Sequence, residues 1–202
     1  MAREFTPPSL QGYAKDVPLR PFAPARSRDL LRRAGLSLPV AIDLWYPTLV
    51  RRPYLTEPEA IARRFAAGLD RAGFQITVRP SPWLPDYLRT VRSGGASLFL
   101  LGWVGDYADP SAFLNVLFGA PSAQFGLVDE QLRRQLERAD AEPDPSRRAA
   151  LYREANREVM RQLPGVPFVT TRQPVGLRRS VRGFRPSALG IDSYAEVTLS
   201  SR

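Results

Sequence analysis

Residues 98–101, Leu-Phe-Leu-Leu, form an apolar run without a polar break. The chain then turns at once into Gly102-Trp103-Val104-Gly105-Asp106-Tyr107, and a second apolar segment opens at Pro110. A run this short, bounded by glycine, predicts a strand buried on both faces, as in a parallel sheet. Open α/β sheets gather their ligands just beyond the carboxyl ends of such strands. An acidic group placed there, between two aromatic rings, is positioned to meet something other than water.

The segments before this run supply the rest of a parallel unit. Residues 26–34 read as a short helix, with Leu30, Leu31 and Ala34 on one side and Gly35 as its terminator. Residues 40–46 alternate as a strand that Pro47 ends. Thr56-Glu-Pro-Glu59 has the spacing of a capping box. The helix it opens carries Ile61, Phe65 and Leu69 four apart and closes at Gly73. Phe74, Ile76 and Val78 alternate in the next strand, and residues 83–91 read as a helix before the apolar run. Strand, helix, strand, helix, strand is the order of a parallel βαβαβ sheet with right-handed crossovers.

Beyond the acidic loop, three helical segments are predicted, over 110–118, 128–141 and 145–163. Leu132, Leu136 and Ala139 share a face of the second. Asp144 and Pro145 are placed to cap and start the third, whose stripe is Leu151, Ala155, Val159 and Leu163. After Gly165 the pattern changes to short β-type runs broken by Pro167, Pro174, Gly183, Pro186 and Gly190. The expected organisation is a proline-rich extended lead-in over 1–25, an α/β lobe over 26–165, and returning strands of a second layer over 166–202.

Two absences narrow the chemistry. Without cysteine there is no thiolate nucleophile, disulfide or sulfur-ligated metal, and without histidine the commonest general base and metal ligand are missing. No cofactor and no metal is implied, and a binding protein is expected rather than an enzyme. The net charge of +9 raises the alternative of an arginine-rich nucleic-acid-binding module. The arginines, however, come in pairs spread along helical segments, such as Arg63-Arg64 and Arg133-Arg134, which reads as solvated helix faces.

Asp109 precedes Pro110 and an apolar helical run, the setting of a helix cap. Asp106 has no helix start of its own; an Asx-turn or a charge pair with a ligand cation such as an α-ammonium group are its two readings. Trp103 is either core or the apolar wall of a cleft, and Tyr107 is a further wall candidate. A hydrolase using Asp106 and Asp109, or a calcium site, is the weaker reading, because no further acidic ligand or base stands nearby.

These residues resemble the carboxyl-terminal part of the family 5 solute-binding proteins of peptide and nickel ABC importers. The resemblance runs from Pro24 to Val197. It rests on the short helix ending at Gly35, on Trp45-Tyr46-Pro47, on Ala72-Gly73-Phe74-Gln-Ile-Thr-Val78, and most specifically on Gly102-Trp103-Val-Gly-Asp106-Tyr107-Ala-Asp109-Pro110-Ser-Ala-Phe113-Leu114. Asp144-Pro145, Arg148-Ala-Ala-Leu-Tyr152, Val166-Pro167-Phe168 and Val181-Arg-Gly183-Phe184 continue it in order.

The resemblance implies one lobe of a type II periplasmic-binding-protein fold, in which two α/β lobes close over a solute. It further implies that Asp106 pairs with a peptide amino terminus and that Trp103 helps form the pocket, beside which Tyr107 is expected as a further wall residue on its own position in the loop. The partners implied are an oligopeptide or other small solute and the permease subunits of an ABC importer. The protein is expected to be monomeric, periplasmic or associated with the cell envelope, and not to bind nucleic acid. Two positions depart from the family pattern: Ser97, where aspartate is common, and Ala-Gln-Phe-Gly at 123–126, where an asparagine is common. Family members are usually more than twice as long and carry a signal peptide, so a fragment or a misplaced start at Met1 is expected.

Overall fold

The computed structural model describes residues 2–171, 174–187 and 192–200. Met1 and Gly190, both invoked above, lie outside the described residues. The element order is α1 (Pro24–Arg33), β1 (Val40–Thr48), α2 (Pro58–Arg71), β2 (Phe74–Pro82), an irregular turn over Trp83–Tyr87, α3 (Leu88–Arg92), β3 (Leu98–Phe99), α4 (Ser111–Phe118), α5 (Glu130–Ala141), α6 (Pro145–Gln162), β4 (Val181–Arg182) and β5 (Thr198–Leu199).

β1 is the centre of a parallel sheet ordered β2-β1-β3. It pairs with β2 from Val40↔Phe74 to Thr48↔Pro82, and with β3 at Leu44↔Leu98 and Trp45↔Phe99. The two-residue period of a strand sends alternate side chains to opposite faces. Leu44 and Tyr46 therefore join Leu100, Ala62 and the half-buried Ile61, Phe65, Ile76 and Val78 on the α2 face. Trp45 goes the other way, to Tyr87, Val91, Phe99 and Leu101.

The predicted βαβαβ order holds, with four local corrections. The helix expected over 83–91 is an irregular turn over Trp83–Tyr87, where Leu84 is extended, followed by the short α3. β1 continues through Pro47 instead of stopping before it. The Trp45 carbonyl accepts from Leu100 N–H on the β3 side. Pro47, two residues on, turns its missing donor to that same side, where β3 has already ended, so no ladder bond is lost. α2 starts at Pro58 with Glu57 as its N-cap and no side-chain capping bond. Pro58 fixes the first helical position, which leaves Thr56 one residue out of register for a capping box. β3 is a two-residue edge strand rather than a long buried one. Leu98 and Leu100 face one core cluster and Phe99 and Leu101 the other, so both faces are covered as expected, but Trp103 and Val104 emerge into solvent.

The helical half has its own core. Leu114 and Phe118 of α4, Leu132, Leu136 and Ala139 of α5, and Tyr152, Ala155 and Val159 of α6 form one buried cluster. Asp129 caps α5 through Gln131 and Leu132 N–H, both at 2.9 Å, and Asp144 caps α6 through Arg147 N–H at 2.8 Å, with Pro145 in the first turn as the sequence requires. Outer-face arginines pair laterally, Arg33 with Asp29, Arg63 with Glu59, Arg133 with Glu130 and Glu137, and Arg161 with Glu158. These exposed pairs contribute little stability and fit the reading of solvated helix faces.

The proline-rich lead-in, expected to be extended, makes turns and packs into this helical core. Phe5 meets Phe118 edge-on at 4.9 Å, and Glu4, Thr6, Ala14 and Val17 are buried. Its polar groups find partners there. Asn156 Nδ2 donates to Thr6 Oγ1 (2.9 Å) and to the Gly12 carbonyl (3.1 Å), and Ala14 N–H donates to both Glu4 carboxylate oxygens (3.0 and 3.1 Å). Residues 166–171 also return to the lobe, with Phe168 edge-on to Phe65 at 5.2 Å. Of the predicted returning strands, β4 and β5 pair antiparallel with each other, and not with the β2-β1-β3 sheet.

Glu4 is only 2% exposed. Burial raises its pKa to about 8 from an ordinary 4.5; the Ala14 N–H opposes that rise, nearby Asp16 adds to it and Arg157 offsets it. Below pH 4.5 folded and unfolded chains both hold this proton. Between there and about pH 8 only the folded chain keeps it, so stability falls as pH rises, by at most about 1.4 kcal/mol per pH unit. Glu4→Gln is therefore expected to raise the melting temperature at pH 8 and to leave it nearly unchanged at pH 4. Equal shifts at both pH values in a thermal melt would count against a buried neutral acid.

Candidate functional site

Three loops leave the carboxyl ends of the parallel strands. The first follows β1 and folds back through a bridge between Arg52 and Leu55, with Leu55 buried as its anchor. Leu49, at the start of this loop, is 91% exposed and holds a left-handed φ of 57°. The second is the Trp83–Tyr87 turn, where Leu84 leaves helical geometry. Its Tyr87 hydroxyl is buried and donates to the Leu100 carbonyl, which ties the turn to the end of β3, and burial pushes this phenol above its usual range. The third loop is residues 100–110.

Two glycines let this third loop pass between aromatic rings. A Cβ on Gly102 would lie 2.2 Å from the Tyr54 ring, and one on Gly105 would lie 2.6 Å from the Phe113 ring. The backbone therefore runs flat against both rings, which no side chain at either position permits. Between them stands Trp103, 41% exposed, with its indole N–H donating to the Ala112 carbonyl at 2.6 Å. One edge of the ring is thus fixed to α4 while part of its surface is left open.

Asp106 follows Gly105 and is exposed, without a hydrogen bond or ion pair to any of the described residues. The Asx-turn expected as its alternative does not form among the described residues. Tyr107 is 51% exposed, and its hydroxyl oxygen accepts from Ser111 Oγ at 3.2 Å. Asp109 behaves differently. Its Oδ1 accepts from Ser111 N–H at 2.9 Å, and both its oxygens also accept from Arg148, at 3.1 and 3.0 Å. Partial burial works against ionisation, but the bonds from Arg148 and Ser111 outweigh it and hold this carboxyl below the usual carboxylate range. The hydrolase reading thereby loses its second carboxylate, which is already fully engaged within the fold.

Arg52 is the group that sequence reasoning missed. Its guanidinium lies over the Trp83 ring, 4.7 Å from the centroid, and its Nε is buried without a hydrogen-bond partner among the described residues. An arginine stacked on an indole with a donor unspent has the chemistry of an anion site. The signal was positional, since Arg51-Arg52-Pro53-Tyr54 follows the central strand just as Gly102-Trp103 follows β3. The loops that leave one end of the sheet therefore carry a carboxylate without a partner among the described residues, a part-exposed indole and a guanidinium stacked on a second indole.

The chain is 27% identical over 205 residues to di/tripeptide-binding protein 1 of Pseudomonas aeruginosa, covering 98% of this chain and 37% of that protein. It is 28% identical to the dipeptide-binding protein of Escherichia coli, over 98% of this chain and 38% of that one. Among solved structures, HbpA2 from Haemophilus parasuis matches 99% of this chain and 40% of its own length with a TM-score of 0.87 at 24% identity. The periplasmic DppA of Helicobacter pylori in complex with the peptide STSA gives 0.79 at 21% identity, over 98% and 38% of the two chains. The chain thus spans about two-fifths of the length of the proteins it matches, and these structural likenesses establish the type II periplasmic-binding fold. Residues 1–125, more than half the chain, match the family described as bacterial extracellular solute-binding proteins, family 5 Middle, and the chain belongs to that family.

Proposed function

We propose that this chain forms one wall of the binding cleft of an ABC-importer solute-binding protein, and that its solute is a short peptide. The observation that carries the reading is Asp106, an exposed carboxylate without a partner among the described residues, in the loop beyond the carboxyl end of a parallel strand and three residues after the part-exposed Trp103. A peptide's α-ammonium group supplies the missing counter-charge, and an apolar side chain beside it covers the indole. The Arg52 guanidinium, stacked over Trp83 beyond the end of β1, suits the free carboxylate at the other end of the same molecule. A zwitterionic peptide answers both charges.

In the two-lobed arrangement that family membership implies, a residue on one wall faces solvent until the opposite wall closes over it. Closure removes water and strengthens the ammonium–carboxylate attraction, and the population shifts toward the closed form when solute binds. The loaded protein then hands its solute to a membrane permease in the cell envelope. The named functions of the relatives, di/tripeptide and dipeptide binding, support the solute class.

The test is a titration of the isotope-labelled chain with alanyl-alanine, following the Trp103 indole N–H by NMR. The free dipeptide is expected to move that resonance, and the N-acetylated dipeptide, held without the ammonium contact, to move it only at about tenfold higher concentration. Asp106→Asn should weaken binding by about tenfold or more, the scale of one charged hydrogen bond. Equal affinity in variant and parent would remove Asp106 from the reading. For the other end, Arg52→Gln should weaken binding of alanyl-alanine but not of its carboxyl-terminal amide. An equal loss for both molecules would show that Arg52 does not read the carboxylate.

A further inference from the structure

Asp106 has no side-chain bond to the described residues, so its position is set entirely by the loop that carries it. One end of that loop is pinned at Trp103 and the other at Asp109. What pins Asp109 is Arg148, in the first turn of α6, with a side chain 20% exposed. All five guanidinium N–H groups are matched. Nε and one Nη2 hydrogen reach the two oxygens of Asp109 (3.1 and 3.0 Å). The other Nη2 hydrogen reaches Asp140 Oδ1 (2.8 Å). Nη1 donates to the Ala139 carbonyl (2.8 Å) and to the Asp140 carbonyl. Ala139 and Asp140 lie in the last turn of α5, whose carbonyls lack partners inside the helix. The Tyr152 ring lies beneath, 5.1 Å from the guanidinium carbon.

A single side chain thus joins the end of α5, the start of α6 and the base of the acidic loop. The next residue is held from a third direction. Gly12, at φ 94°, lies so close to Pro110 and Tyr152 that a Cβ there would come within 3.0 Å of Pro110 Cγ and 2.9 Å of Tyr152 Cβ. Lysine at 148, with three donors and no planar fork, cannot reproduce the pattern.

We propose that Arg148 is a positioning residue for solute capture: by clamping Asp109 against the helical half, it fixes the height at which Asp106 meets the ammonium group. Its affinity consequence rests on the peptide reading given above, whereas its effect on loop order does not. Arg148→Met keeps the apolar stem and removes the clamp. Hydrogen exchange is expected to speed up about tenfold at Ser111 N–H and at the Trp103 indole, the loss expected for one or two charged hydrogen bonds, while the amides of α2 keep their parent rates. Alanyl-alanine affinity should fall about tenfold in parallel, and Arg148→Lys should restore part of both losses.

A residue that only stabilises the fold would weaken every ligand alike. N-acetyl-alanyl-alanine, which has no ammonium group for Asp106 to meet, should instead bind the parent and Arg148→Met equally. Unchanged exchange at Ser111 and Trp103, or an equal loss for both dipeptides, overturns the assignment. If Asp106→Asn binds alanyl-alanine like the parent while Arg148→Met still loosens the loop, the clamp stands and the peptide reading falls. If Arg148→Met does not fold, Arg148→Lys carries the same comparison, with smaller changes of the same sign expected and no change overturning it.

Discussion

The whole lobe is organised by the alternation of side chains along β1. Leu44 and Tyr46 point to α2, Trp45 points to the Trp83–Tyr87 turn, and each direction is met by its own cluster of apolar side chains. Among the described residues it is the only strand with a hydrogen-bonded neighbour on both sides. A one-residue slip of its register would exchange the two faces and leave both cores mismatched. Fixing β1 also fixes where all three strands end, and it is at those ends that Arg52, Trp83 and Trp103 come to lie along one rim.

Much of this was legible in the residues because it depends on local rules. The two-residue period of 74–78, the Leu132, Leu136 and Ala139 stripe, and Asp144-Pro145 as a helix start each specify structure from a few neighbouring side chains. The errors arose where tertiary contacts decide. β3 is short because the chain must leave the sheet at Gly102 to pass under Tyr54, a ring 48 residues earlier in the chain. The lead-in folds because Asn156, far along the chain, supplies polar partners for Thr6 and Gly12. Neither contact leaves a periodic trace in the sequence.

The same distinction divides the site. Trp103, Asp106 and Tyr107 were visible as an acidic, aromatic break after an apolar run, and all three are exposed in the loop that leaves β3. Asp109 was read as a cap; Pro110 holds the N-cap position, and Asp109 accepts from Ser111 N–H one residue outside it. Arg148 could not be singled out, because on sequence it is half of another arginine pair on a helix face. Only the geometry separates it from Arg147, whose guanidinium makes no comparable set of bonds among the described residues. Arg52 was hidden in the same way within Arg51-Arg52.

The distances along the chain between joined parts have an implication for folding order. The sheet half draws its strands and their connecting helices from residues 40–101, a continuous stretch whose contacts are local in sequence. Those of the helical half are not, because Phe5, Thr6 and Gly12 need α6, and Thr6 and Asn156 are 150 positions apart. Folding of the lobe would therefore proceed from the middle outward, with residues 4–17 left unsatisfied until α6 forms against them.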